Sequence, residues 1–174
     1  FDWPSGDNQE QLSSEPGVYV ICFPYKDGCL VHFAGITNNF KRRIKQHDRA
    51  FRKGQYTIID ADQAMQGIRK EVWHGWKYAR ENKEEFVQRE NEIVAALEKQ
   101  IASYQIFTAV MEDKRLRERL ESSIMLNIYT SKTPWSDIQD RGMMLRGRYT
   151  NEMPIRAVNK STCTIYGIPD ILEF

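Results

Sequence analysis

The stretch GVYVICFPYKDGCLVHFAGITNNFKRRIKQH, Gly17 to His47, decides the fold. From Gly17 to Pro24 the side chains alternate: Val18, Val20 and Cys22 share one face, Tyr19 and Ile21 the other. That period of two is a strand. YKDG at 25–28 is a turn, with Asp-Gly its strongest part. Cys29–Ala34 reads as the returning strand, and Gly35 breaks it. Asn38 or Asn39 suits a helix N-cap, and Phe40 and Ile44 lie one turn apart, so a helix is expected over about 39–52.

The hairpin runs straight into cations. Lys41 to Lys53 holds seven Lys or Arg against one acid, Asp48, although the whole chain carries only +1. Acids dominate from Glu81 to Glu92. The charge pattern therefore predicts one basic side and one acidic side. The basic run is either a solvated face or a phosphate site.

At 174 residues the chain suits one domain, 1–174, with its own core. Hydrophobic residues are 41% and charged residues 28%, which excludes a disordered chain. No apolar run approaches the ~20 residues of a membrane span, so no membrane partner is expected. The start has no basic n-region or apolar h-region, so no secretory leader is expected. Cys22, Cys29 and Cys163 are odd in number and lack metal-type spacing, which predicts reduced thiols and a cytoplasmic location.

Further along, residues 57–100 read as mostly helical, with Ile68, Val72 and Trp76, then Phe86, Ile93 and Leu97, at helical spacing. Residues 103–111 have a strand composition. Leu116, Leu120, Ile124 and Ile128 form an i, i+4 stripe over 112–130, and KTPWSD ends that helix. The last stretch mixes Arg141, Arg146, Arg148 and Arg156 with the β-rich STCTIYGI, as short strands and loops. Residues 1–15 read as an irregular polar lead-in. The expected class is α+β: a small three-stranded antiparallel sheet flanked by helices, a helical insertion and a short β-rich C-terminal extension.

These residues resemble the GIY-YIG nuclease family. Gly17-Val18-Tyr19 stands for the first signature and Phe33-Ala34-Gly35 for the second. The family's helix arginine falls on Arg43, ten positions after Phe33, and its frequent histidine falls on His47. RLESSI (119–124) matches the family's glutamate helix and points to Glu121. The resemblance divides the chain into a core at 15–51 and 101–136, an insertion at 52–100 and an extension at 137–174. It implies a metal-dependent phosphodiesterase acting on double-stranded DNA, with Mg²⁺ at Glu121 and Mn²⁺ able to substitute. Three positions depart from the family: Phe33 replaces a tyrosine, Ile36 a lysine and Ser136 an asparagine.

The residue chemistry is compatible. Hydrolysis of a phosphodiester needs an activated water and stabilised charge on the phosphate oxygens. Tyr19 offers a phenol to relay or take the proton, although a reference pKa of about 10 makes it a poor base. Arg43 offers a planar fork for phosphate. His47, four residues on, points from the same helix face. Glu121 lies roughly 80° from the apolar stripe and Glu118 roughly 140°, so Glu121 is placed at a cleft rim and Glu118 in water. Lys41, Arg42, Lys45 and Arg49 are expected to contact the DNA backbone. Trp73, Trp76 and Tyr78 could stack on bases, but their helical spacing favours core packing. His74 is expected to be structural.

The leading functional expectation is an endonuclease, with sequence-selective cutting aided by the arginines of 141–156 and a homodimer allowed for. One alternative is a catalytically weakened nucleic-acid-binding module, motivated by Phe33, Ile36 and Ser136. Another is a protein-interaction domain using the acidic helical insertion.

Overall fold

A computed structural model describes residues 2–4, 12–139 and 146–174. The elements run β1 (Gly17–Tyr25), β2 (Gly28–Thr37), α1 (Phe40–Arg52), β3 (Ile58–Ile59), α2 (Ala61–Ala64), β4 (Glu71–Trp73), α3 (Trp76–Glu81), α4 (Lys83–Gln88), α5 (Glu90–Ser103), β5 (Gln105–Val110), α6 (Lys114–Thr130), α7 (Pro134–Ile138), β6 (Arg156–Val158), β7 (Thr164–Tyr166) and β8 (Ile171–Glu173). The class is α+β, as expected.

The expected three-stranded antiparallel sheet is corrected to four strands in the order β5-β1-β2-β7. β1 lies antiparallel to β2 and β5, while β7 adds parallel to β2. Without β7 the end of β2 would be an open edge, a row of unpaired backbone groups. A parallel neighbour needs a long crossover, and the chain between β2 and β7 supplies it. Its short segment of the β-rich tail carried no sequence sign of which edge it would join.

Helices cover both faces of the sheet, so β1 is buried on both sides and reads as nearly continuous apolar sequence. Tyr19, Ile21, Phe23 and Leu30 pack with Phe40, Ile44 and Phe51 of α1 and Ile93, Leu97 and Ile101 of α5. Val18, Val20, Cys22 and Val31 pack with Leu120, Ile124 and Ile128 of α6. Each such Leu or Ile contributes about 1.5–3 kcal/mol on burial. The described residues of the lead-in form no helix or strand beyond an isolated bridge from Asp2 to Gln105, and Trp3 and Leu12 anchor it in the first core.

One irregularity positions the site. The β1–β2 register passes from Ile21↔Phe33 to Cys22↔Val31, leaving His32 as an extra residue. A bulge of this kind exchanges the faces of everything beyond it. Leu30 and Phe33, of opposite parity, therefore both pack in the first core.

The insertion is not uniformly helical. β3 and β4 pair antiparallel. Val72 lies on β4 and Trp76 opens α3, so Ile68, Val72 and Trp76 form no single stripe. Gly67, at φ 80°, breaks the helical pattern early. Phe86 falls on α4, while Ile93 and Leu97 fall on α5. Period alone does not separate short helices from an interrupted long one. Trp73 is buried, but Trp76 is 52% exposed, which corrects its expected core role.

Candidate active site

Tyr19 on β1 faces Gly35 on β2 across the ladder. A Cβ at Gly35 would lie 2.6 Å from the Tyr19 Cζ, so the missing side chain makes room for the phenol. α1 brings the next two groups. The Asn39 side chain caps it by accepting from the Arg42 backbone N–H at 2.7 Å. Arg43 and His47 then project one turn apart on the face toward Tyr19.

The three side chains form a directed chain. Arg43 Nε donates to the Tyr19 hydroxyl at 3.0 Å, and the hydroxyl lies 2.6 Å from His47 Nε2. Arginine only donates, so the Tyr19 oxygen accepts from it; the imidazole tautomer sets the other bond, in which Tyr19 can give its own proton to Nε2. That requires a neutral imidazole with its hydrogen on Nδ1. Burial, reinforced by the neighbouring Arg43 cation, pushes His47 down to about 3, which keeps it neutral. Burial likewise pushes Tyr19 up to about 12 against the pull of Arg43. Tyr19 therefore keeps its proton near neutrality. Among the described residues the two terminal nitrogens of Arg43 have no partner.

Glu121 arrives from the opposite side, on α6, whose N-cap Asp113 accepts from Leu116 N–H at 2.9 Å. It is buried, and Oε2 has no partner among the described residues. Burial carries its pKa up to about 7, against the attraction of Arg43 and with a further push from Glu118. Tyr19 and Arg43 both feel its charge. An unpaired buried carboxylate oxygen is what a hard cation would satisfy, so the site fits Mg²⁺. Among the described residues no group of three or more His, Cys, Asp or Glu gathers for a metal. Glu121 would thus be the protein's one carboxylate ligand, with water and phosphate oxygens completing the set. Glu118 is not simply in water: it pairs with Lys114 at 3.8 Å and Arg115 at 3.6 Å.

A fifth residue was missed from sequence. The Tyr56 ring packs on His47 at 5.5 Å and on Phe51 at 5.2 Å. Phe33 packs on the same two rings, at 5.0 and 6.2 Å. Tyr56 is half-buried, and both Tyr19 and Arg43 sense its phenol. Its segment is pinned by Trp76 N–H donating to the Gln55 carbonyl at 2.8 Å and by Gly75, where a Cβ would meet the Tyr56 Cα at 2.7 Å. Trp76 itself is held at φ 60°, a conformation that costs about 1–3 kcal/mol in a non-glycine residue. Nothing in the local sequence of Tyr56 marks it, because its partners are distant in the chain.

The other cations are arranged differently. Arg42, Lys45 and Arg49 are exposed and Lys41 is half-buried. On a helix their mean direction is roughly opposite that of Arg43 and His47, so the fold does not bring them to the site. Arg52, not Arg43, pairs with the acidic insertion, at 2.6 Å from Glu98. Arg148 donates to the Glu152 carbonyl and Arg156 pairs with Glu173, so both are engaged within the tail. Arg141 lies outside the described residues. His74 bonds Glu71 at 2.6 Å. Ser136 donates to the Thr133 carbonyl at 2.8 Å, inside α7.

A family model described as the GIY-YIG catalytic domain matches residues 15–105. No curated protein and no solved structure gives a match. The matched stretch contains Tyr19, Arg43, His47 and Tyr56. Glu121 lies beyond it and joins the group only through the fold.

Proposed function

The chain belongs to the GIY-YIG family, and from that premise we propose that it is a divalent-metal-dependent endonuclease hydrolysing DNA phosphodiester bonds. The observation that carries this reading is the Arg43–Tyr19–His47 chain, of which Tyr19 and Arg43 feel the charge of Glu121, a buried carboxylate with an unpaired oxygen. Mg²⁺ or Mn²⁺ held by Glu121 would offset charge on the phosphate and the leaving oxygen. The terminal nitrogens of Arg43 bind a phosphate oxygen. The attacking water passes its proton to the Tyr19 oxygen while Tyr19 hands its own to His47 Nε2. Burial and the Arg43 cation keep His47 neutral but make it a weak base, so its taking that proton would depend on the negative charge of the bound phosphate.

The test incubates supercoiled and linear DNA with Mg²⁺ or Mn²⁺. Cutting by the parent, abolished by chelation, is expected. Salt-sensitive binding without cutting would support the weakened module instead. Neither binding nor cutting on any DNA sinks the reading. The interaction-domain alternative is less favoured, because acids of the insertion are already paired: Glu85 and Glu92 with Arg89, and Glu98 with Arg52. A homodimer would let one site serve each strand, and sedimentation on DNA checks it.

Phe33, which has no hydroxyl, is the strongest mark of a weakened site. Tyr56 answers it, since its phenol approaches the same histidine from the insertion. Tyr56→Phe is therefore expected to lower kcat about tenfold with KM nearly unchanged. Adding Phe33→Tyr in that background should restore part of the loss. Equal rates for parent and Tyr56→Phe would remove Tyr56 from the mechanism.

A further inference from the structure

Beside Tyr56 lies a cavity of about 420 Å³ that the hydrolytic chemistry does not use. Its walls come from the insertion (Thr57, Arg69, His74, Trp76) and from the end of α7 (Ser136, Asp137, Gln139). Three observations there are independent of the catalytic group. Trp76 presents a half-exposed ring from a strained backbone, one side of it against Tyr56 at 5.0 Å. Gln139 is 3% exposed, yet neither its amide nitrogen nor its amide oxygen has a partner among the described residues. Arg69 donates to the carbonyls of Ile138 and Gln139, at 2.6 and 3.2 Å, and to Glu71, which fixes the wall that carries Gln139.

A buried amide with both ends unsatisfied lowers stability unless a ligand completes it. A donor and an acceptor side by side match the edge of a nucleobase. An aromatic face beside them supplies a stacking surface. Arg69 lines the cavity too, but its guanidinium is already engaged by Glu71 and two carbonyls, so with the Asp137 carboxylate beside it the lining favours an uncharged base over a phosphate. Trp76 is two ring contacts from His47, through Tyr56, at 5.5 and 5.0 Å. The two spacings together put the cavity within about three nucleotide steps of a phosphate held beside His47, a step being ~3.4 Å along one strand.

We propose that this cavity holds one unpaired nucleobase of the DNA, stacked on Trp76 and read at its edge by the Gln139 amide. The substrate is then DNA in which a base next to the cut leaves the stack, most easily a mismatched or unpaired one. The proposal rests on the nuclease reading for its DNA context, but its test does not require cutting.

The full chain is titrated, without metal, with dAMP, dCMP, dGMP and dTMP in turn, and with deoxyribose 5-phosphate as control. The Trp76 indole N–H and the Gln139 side-chain NH₂ are followed by NMR. At least one nucleotide should shift both resonances saturably, while the sugar phosphate shifts neither. Gln139→Leu should weaken that nucleotide about tenfold and erase the differences among the four, and Trp76→Ala should abolish binding. Gln139→Leu removes an unsatisfied amide, so its melting temperature should equal or exceed the parent's, which controls for misfolding. No shift with any nucleotide, equal shifts with the sugar phosphate, or unweakened binding by Gln139→Leu overturns the proposal. DNA cutting by a parent that binds no nucleotide overturns the cavity and leaves the nuclease. Nucleotide binding by a parent that cuts no DNA does the reverse.

Discussion

Glu121→Gln is expected to abolish DNA cutting and to stabilise the metal-free protein in the same step. Glutamine keeps the shape of the side chain but loses the charge that would hold a divalent cation. The loss should be at least about 10³-fold in rate, since several kcal/mol of charge stabilisation go with the ion. Stability should move the other way. Burial raises the folded-state pKa of Glu121 to about 7, above its ordinary carboxylate value. Below about pH 4.5 the carboxyl is protonated in both the folded and the unfolded chain, and burial costs no charge. As pH rises toward and through 7 the folded chain must hold a buried anion, and that stability is lost. The melting temperature of Glu121→Gln should therefore exceed the parent's at pH 8, by the equivalent of about 1–3 kcal/mol. The two should converge near pH 4.5. Added Mg²⁺ should raise the parent's melting temperature at pH 8 and leave the variant's unchanged. A variant that still cuts, or a stability gap independent of pH, would contradict the assignment of Glu121.

Gly35→Ala should cripple the site from the opposite strand without replacing any reacting group. The new methyl would stand 2.6 Å from the Tyr19 Cζ and closer still to its oxygen. Tyr19 is 1% exposed, so its ring has no free space to yield into. The phenol must shift, which breaks its alignment with Arg43 Nε and His47 Nε2. A displacement near 1 Å in a catalytic group costs about 10²-fold in rate. Overpacking should also cost about 1–3 kcal/mol of stability. The decisive comparison is with Tyr19→Phe, which removes the atom nearest the methyl, the hydroxyl oxygen, while the clash with Cζ at 2.6 Å remains. Gly35→Ala should destabilise the Tyr19→Phe protein less than it destabilises the parent. Equal destabilisation in both backgrounds would show that the glycine is not there for the phenol.

The same pair of strands shows how far sequence reasoning reached. Alternation over 17–24, the Asp-Gly turn and the Asn cap are local signals, and each appears in the structure where the chain pattern puts it. The i, i+4 stripe of α6 also survives, because one long helix buries one continuous face. The insertion is less legible. Its short helices and two short strands carry apolar residues at spacings that one longer helix would share.

By itself, the sequence determined the hairpin, the α1 spacing that sets Arg43 and His47 on one face, and the placing of Glu121 nearer the apolar stripe than Glu118. These follow from the fixed periods of strand and helix. Only the tertiary structure decided the rest. The extra residue His32 turns Phe33 and Gly35 toward Tyr19, and a bulge has no period to announce it. Burial from both sides sets the protonation of Tyr19, His47 and Glu121, because desolvation depends on everything packed around a group. Tyr56, Trp76 and Gln139 reach the neighbourhood of the site through contacts between segments far apart in the chain, and no local pattern encodes such a meeting.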